Sequence, residues 1–241
     1  MKILILVAMY QEAKPLVNEL SLKETEPFDD ALPMRIFINH EKPDIVLVIS
    51  GTDPKHNADY IGTQAAAVSA VMAIKKFNPD IILNIGTAGG FKDRGAQIGD
   101  VYLVTQAFYH DRRIPLPGYD AYGMGGYHCE MIPEIAGALN VKKGILSTGD
   151  SLDAQPCDLE IMAKHNAVVK DMEGASIVWV ANLYKKPVIL LKSVTDLVDY
   201  PEENYQDFLN NLHLASHNLK DQFLKILQLF TENKIVVNKT I

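Results

Sequence analysis

The sequence predicts a three-layer α/β/α domain around a central twisted β-sheet. Short apolar runs alternate along the chain with longer amphipathic segments, the β/α rhythm of a layered fold. Several of these runs are apolar at consecutive positions, as in strands buried on both faces. Two of the runs lead into an acid: residues 168–169 precede Glu173, residues 188–191 precede Asp196, and 174–184 reads as the helix between them. In an open α/β sheet ligands bind outside the carboxyl ends of the strands, so the two acids are expected to share a pocket.

The elements follow in order. Residues 2–8 read as a first buried strand and 11–20 as a helix after a tight turn. The polar, proline-bearing stretch 21–33 reads as loop. Residues 34–39 and 44–50 read as strands joined by the turn-like Glu41-Lys42-Pro43. Residues 59–77 read as an alanine-rich helix, with Asp59 near its start and the turn Asn78-Pro79-Asp80 after its end. Residues 81–85 are a strand running into Gly86-Thr87-Ala88-Gly89-Gly90. Residues 101–108 are a strand preceded by Asp100, and 144–147 a short strand ending at Thr148-Gly149-Asp150. Residues 110–127 hold prolines, glycines and tyrosines without periodicity and read as an ordered functional loop. The last long helix starts near Pro201. Phe208, Leu212, Ala215, Leu219, Phe223, Leu227 and Phe230 recur along it at helical spacing as one apolar face. Residues 231–241 read as a tail that frays. No repeat or linker breaks the pattern, so residues 1–241 are expected to form one domain.

Composition narrows the partners. The chain has 241 residues, 48% hydrophobic and 22% charged, ordinary values for a globular protein. Its formal charge is −7, and no Lys/Arg run is longer than a pair such as Arg112-Arg113. An acidic chain without a basic stripe argues against nucleic acid and anionic membranes as partners. The two cysteines, Cys129 and Cys157, are not in a CxxC motif; they allow one disulfide, but two free thiols in a reducing compartment fit better. The apolar run 3–8 is too short for an export core, and no run approaches the roughly 20 residues that span a bilayer. The expected location is the cytoplasm.

Each candidate site residue also has a plain structural reading. Glu12, taken alone, is an ordinary acid in a helix first turn, favoured there by the macrodipole. The glycines of 86–90 let backbone approach a ligand, but the stretch is neither GxGxxG nor a P-loop. Glu173 is either a helix N-terminal acid or a carboxylate accepting two hydrogen bonds from a vicinal diol. Asp196 follows a buried strand, where a carboxylate needs a partner or a task. His110-Asp111-Arg112-Arg113 reads as a structural ion-pair network opening a loop. His213 and His217 stand four residues apart with no third ligand nearby, so they read as surface residues of the last helix and no metal is expected. Trp179 reads as core.

Taken together, these pieces resemble the 5′-methylthioadenosine/S-adenosylhomocysteine nucleosidases of the purine nucleoside phosphorylase superfamily. The resemblance rests on Ala8-Met9 with Glu12, Asn84-Ile85-Gly86-Thr87-Ala88-Gly89-Gly90, Ser147-Thr148-Gly149-Asp150-Ser151, Lys170-Asp171-Met172-Glu173-Gly174-Ala175 and Val194-Thr195-Asp196, in that order over almost the whole chain. His110–Pro115 and Lys192–Asp199 look most like the plant-type branch.

The resemblance implies a three-layer fold with a mixed sheet, no cofactor and no metal. It implies irreversible cleavage of the N-glycosidic bond of methylthioadenosine, and of S-adenosylhomocysteine in some members, in methionine salvage. By the same resemblance Asp196 is the acid that protonates the purine at N7. It must hold its proton near neutral pH, which burial among Leu190, Leu191 and Val194 favours. Glu12 matches the residue that orients and deprotonates the attacking water. Glu173 matches the carboxylate that holds the ribose diol and favours the cationic transition state. Met172 packs on the ribose, and Thr87, Ala88 and Gly89 line ribose and base. The backbone at Leu152 and Asp153 reads the adenine edge, Lys170 and Asp171 support the strand end, and Thr195 neighbours the acid. Leu152 stands where the bacterial branch has a stacking Phe, and Lys192 where it has an Arg. Loop 110–127, with Ile114, Pro115, Leu116 and Tyr119, resembles the segment that completes a neighbouring subunit's site, which implies a homodimer. The rivals are a phosphorylase, which carries an Arg where Asn84 stands here, and a non-catalytic nucleoside-binding protein.

Overall fold

The computed structural model describes residues 1–27, 29–139, 141–200, 204–232 and 235, with the backbone alone for 204–207. Strand β1 (Ile3–Val7) shows why the fold is layered: every residue in it is buried. Leu4 and Leu6 join one apolar cluster, while Ile3, Ile5 and Val7 join a second on the opposite face. A strand with both faces buried needs helices on both sides.

Helix α1 (Tyr10–Glu19) follows, then strands β2 (Lys23–Thr25), β3 (Arg35–Asn39) and β4 (Lys42–Ile49). Two short strands, β5 (Thr52–Asp53) and β6 (Ala58–Asp59), lead to helix α2 (Thr63–Phe77). Strand β7 (Ile81–Gly90) and a 3₁₀ turn (Lys92–Arg94) precede β8 (Val101–Tyr109). Then come α3 (Asp120–Met124), β9 (Gly125–His128), α4 (Pro133–Ala138), β10 (Lys142–Thr148), α5 (Pro156–Lys164) and β11 (Ala167–Asp171). Helix α6 (Gly174–Leu183), strand β12 (Val188–Leu197) and helix α7 (Asn204–Thr231) complete the described chain.

The sheet order is β11-β10-β8-β12-β7-β1-β4-β3-β2, with β9 on β8. It is mixed: β1 runs parallel to β4 and β7, whereas β12 runs antiparallel to β8 and β3 antiparallel to β4. Strand β11 also pairs with the far end of β7, so β7, β12, β8, β10 and β11 close into a ring at one side of the sheet. Helices α2 and α6 supply Ala66, Ala70, Ala73 and Val178 to one cluster. Helices α1, α4 and α7 supply Leu16, Ile135, Leu219 and Phe223 to the other. The expected α/β/α layering is what these contacts build.

Several boundaries differ from expectation. The stretch 21–33 contains β2, whose polar Lys-Glu-Thr sequence is that of a solvated edge strand. The hairpin is tighter than expected, because β4 begins at Lys42 within the anticipated turn. Helix α2 begins at Thr63 and not at Asp59; Asp59 instead pairs in β6 with Thr52. Gly62, at φ 99°, makes the turn into that helix. The glycine-rich segment 86–90 is the end of β7 itself. Loop 110–127 includes α3 and the start of β9. The expected helix start near Pro201 and the tail beyond Ile235 lie outside the described residues, while Ile235 itself is buried in the second cluster.

Candidate active site

The β-register brings the site residues together. Asp196 of β12 pairs with Gly89 of β7, and Lys170 of β11 pairs with the same Gly89. A register shift between Val194 and Asp196 turns the strand at that point. Gly89 has room for nothing more: a Cβ there would lie 3.0 Å from Asp196 Oδ2 and 2.6 Å from Val198. Asp196 therefore lies inside β12, over its closing residues, rather than after the strand's end as anticipated.

Glu12 approaches from the other side. It stands in the first turn of α1, and its Oε2 accepts the Met9 N–H at 3.3 Å. Its Oε1 accepts both the backbone N–H and the hydroxyl of Thr87, each at 2.7 Å. Glu12 thus caps helix α1 and is at the same time tied to the end of β7. Burial raises its pKa above the ordinary carboxylate range, against the pull of the Thr87 bonds and Lys192. Glu173 opens α6, and its Oε1 accepts the Gly62 N–H at 2.9 Å. Burial, with the Asp171 carboxylate nearby, pushes Glu173 up to about 7.

Beneath these acids lies a buried ion pair. Lys192 Nζ donates to Asp171 Oδ2 at 2.8 Å, with both side chains 1% exposed. Asp171 also accepts from Thr148 Oγ1 at 2.6 Å and from the Gly174 N–H at 2.8 Å. Burial opposes the Lys192 charge, but Asp171, Glu173 and Glu12 outweigh it and raise its pKa. Lys170 Nζ donates to the carbonyls of Ser151 and Leu152 at 2.6 and 3.0 Å, so it ties segment 151–152 to the strand end.

These residues enclose a pocket of about 260 Å³. Among the expected residues, Glu12, Thr87, Ala88, Gly89, Leu152, Lys170, Asp171, Met172, Glu173, Thr195 and Asp196 line it. Asp153 and Ile114 do not. Asp153 is exposed and accepts from Gln155 Nε2, and Ile114 packs beside Gly123 in its own loop. A larger groove of about 490 Å³ between α1 and α7 holds none of the acids that converge here. Sequence reasoning missed Ala8, Met9, Ile61, Val198 and Phe208 as lining residues. Phe208 sat in the apolar stripe of α7, and nothing in its spacing separates a pocket wall from a core position. Ile61 lay in a segment assigned to helix. His110 is buried against Ser147, Arg113 pairs with Asp158, and Arg112 lies over the rings of Tyr109 and Tyr122. Both cysteines are free, and burial pushes Cys129 up to about 12. No helix among the described residues is long and apolar enough to cross a membrane.

A mixed α/β sheet with acids gathered over its closed end defines a class. Residues 2–228 match the Phosphorylase superfamily. An Arabidopsis thaliana 5′-methylthioadenosine nucleosidase is 42% identical over 93% of this chain and 85% of its own length. A 5′-methylthioadenosine/S-adenosylhomocysteine nucleosidase of the same plant is 41% identical over 93% of this chain and 90% of its own. The apo structure of the Arabidopsis 5′-methylthioadenosine nucleosidase superposes with a TM-score of 0.91 at 41% identity, covering 95% of each chain. The chain belongs to the 5′-methylthioadenosine/S-adenosylhomocysteine nucleosidase family of this superfamily.

Proposed function

We propose that the protein hydrolyses the N-glycosidic bond of 5′-methylthioadenosine, releasing adenine and methylthioribose, as a step of methionine salvage in the cytoplasm. The observation that carries this is the convergence of Glu12, Glu173 and Asp196 on one pocket. Breaking the bond between C1′ and N9 leaves the ribose cationic and sends the electron pair into the purine. Asp196 gives a proton to N7, which makes adenine a better leaving group. Glu12, held by Thr87 and Met9, takes a proton from the water that attacks C1′. Ionised Glu173 accepts hydrogen bonds from the ribose hydroxyls and opposes the positive charge at C1′. Met172 and Phe208 offer apolar surface to the sugar and the alkylthio group.

Charge favours water over phosphate as nucleophile. Four acidic side chains line the pocket, with Asp171 already paired to Lys192 and Asp196 serving as the proton donor, and among its lining residues the one cation is Lys170, which is engaged with two carbonyls. Asn84, at the position expected to carry an Arg in a phosphorylase, is buried and donates to the Leu6 carbonyl at 3.0 Å. A phosphate dianion would meet repulsion without a fork of donors. We also infer a homodimer. Leu116, Tyr119 and Tyr122 are more than half exposed in loop 110–127, at 56%, 52% and 55%, and Ile114 does not reach its own chain's pocket.

The test is adenine release from methylthioadenosine, followed by chromatography with and without phosphate, with S-adenosylhomocysteine and adenosine in parallel. Adenine with free methylthioribose, indifferent to phosphate, is the expected result. A ribose 1-phosphate formed only with phosphate would overturn it.

A further inference from the structure

We infer that His110 is a positioning residue for segment 149–153, fixing where that backbone meets the purine; the inference rests on the nucleosidase reading of the pocket. The arginines of the His110-Asp111-Arg112-Arg113 cluster are accounted for by Asp158 and by aromatic rings. His110 is not. It is 1% exposed, follows directly on β8, and does not line the pocket. Its Nδ1 lies 2.8 Å from the hydroxyl of Ser147, which is itself fully buried. Its backbone N–H donates to the Thr148 carbonyl at 3.1 Å. Its ring lies directly against Gly149. A Cβ on that glycine would stand 2.2 Å from His110 Nε2 and 2.6 Å from Cε1.

The tethers continue along the segment. Asp111 Oδ2 accepts the Asp150 N–H at 2.7 Å. The Asp150 carboxylate in turn accepts the backbone N–H and the hydroxyl of Thr63, each at 2.6 Å. Lys170 then holds the carbonyls of Ser151 and Leu152. His110 thus supports the segment where it leaves β10, and Lys170 supports it where Leu152 enters the pocket. Burial, and next the Lys170 cation, hold the imidazole pKa below its ordinary value, so the ring is neutral at pH 7. A neutral ring shares a single proton with Ser147 and brings no second cation beside Lys170. Gly149 carries no side chain because the imidazole occupies that space. A shift of the segment by a fraction of an ångström would misplace the hydrogen-bonding edge offered to the base.

The experiment compares His110→Ala, His110→Asn and Gly149→Ala with the wild-type protein in steady-state kinetics on methylthioadenosine, in inhibition by adenine, and in Tm. His110→Ala is expected to raise KM and weaken adenine inhibition by about tenfold, with kcat changed far less. His110→Asn, which keeps a polar partner for Ser147, should recover most of the loss. Gly149→Ala keeps His110 but pushes the segment off the ring, and should reproduce the KM effect. It also carries the test if His110→Ala does not fold. Unchanged KM and adenine inhibition in both His110→Ala and Gly149→Ala would overturn the inference, and so would a fall in Tm alone. Absence of adenine release from the wild-type protein would instead sink the proposed function, which keeps the two failures apart.

Discussion

At the scale of single residues, the three acids have the same chemistry and different surroundings, and the tasks proposed for them rest on those surroundings. Asp196 is buried where β12 shifts register, with Thr195 Oγ1 donating to its Oδ1 at 2.8 Å. Asp196→Asn keeps the shape and that hydrogen bond but removes the proton donor. Turnover should fall by about 10²–10⁴-fold while circular dichroism and Tm stay near wild type; near-normal turnover would remove Asp196 from the mechanism. Glu12→Gln should still bind methylthioadenosine in calorimetry and barely cleave it, because Gln can accept from Thr87 but cannot deprotonate water. Loss of binding would make Glu12 a binding group instead. Glu173 gives a pH signature with a definite sign. Its pKa stands at about 7 in the fold against 4.5 for a free glutamate. A raised carboxylate stabilises the fold fully below its unfolded value, and that contribution is lost as pH rises through about 7. Glu173→Gln does not titrate, so its Tm should gain on that of the wild type between pH 5 and pH 8, by roughly 2–4 °C per kcal/mol for a chain of this size. Its KM should rise, since the amide offers one acceptor oxygen to the ribose diol where the ionised carboxylate offers two. A constant Tm difference across that range would show that Glu173 does not titrate there. Glu173 and Asp196 stand out in the sequence because each follows an apolar run, whereas Glu12 reads alone as an ordinary first-turn acid and is singled out only by the family resemblance. The hydrogen bonds of these acids were not legible there, since Thr87 and Gly62 reach Glu12 and Glu173 from positions 75 and 111 residues away.

At the scale of elements, site geometry follows from β-register, and register is a long-range property. Strand β7 was recognised at residues 81–85 by its apolar run, but its continuation through Gly86–Gly90 reads locally as a loop. Only pairing with β12 on one side and with β11 on the other makes it a strand. Strand β2 was missed for a related reason: its side chains face water, and Arg35 forking onto Glu24 supports it from β3. Helices α4 and α5 are too short for a periodicity to declare them. The pairing itself is testable at Gly89. A methyl group there would press on Asp196 Oδ2 and the Val198 side chain. Gly89→Ala should therefore cost activity well beyond its cost in stability, with kcat/KM down by at least tenfold and Tm lowered by only a few degrees. An unchanged kcat/KM would mean that the register seen between β7 and β12 leaves more room than the backbone implies.

At the scale of the whole molecule, the α/β/α layering was legible because strands buried on both faces demand helices on both sides, while assembly is not written in such a pattern. The proposed homodimer rests on what a single chain leaves undone. Ile114 was expected at the site and is absent from this chain's pocket, and Leu116, Tyr119 and Tyr122 present apolar surface from the same loop. In a two-fold dimer the same patch would serve both copies, and in the dimer proposed here loop 110–127 of each would complete the pocket of the other. Sedimentation should then show a dimer. Complementation separates a composite site from a mere contact. One variant, Asp196→Asn, has a dead pocket and an intact loop; another, Ile114→Asp, has an intact pocket and a damaged loop. Mixed after dissociation and reassociation, half the dimers would pair one of each, and every such dimer would contain one pocket with both intact parts. Activity should rise above that of either variant alone to roughly a quarter of wild type per subunit. If the mixture is no more active than the sum of its parts while mixed dimers are shown to form, each pocket is completed within its own chain.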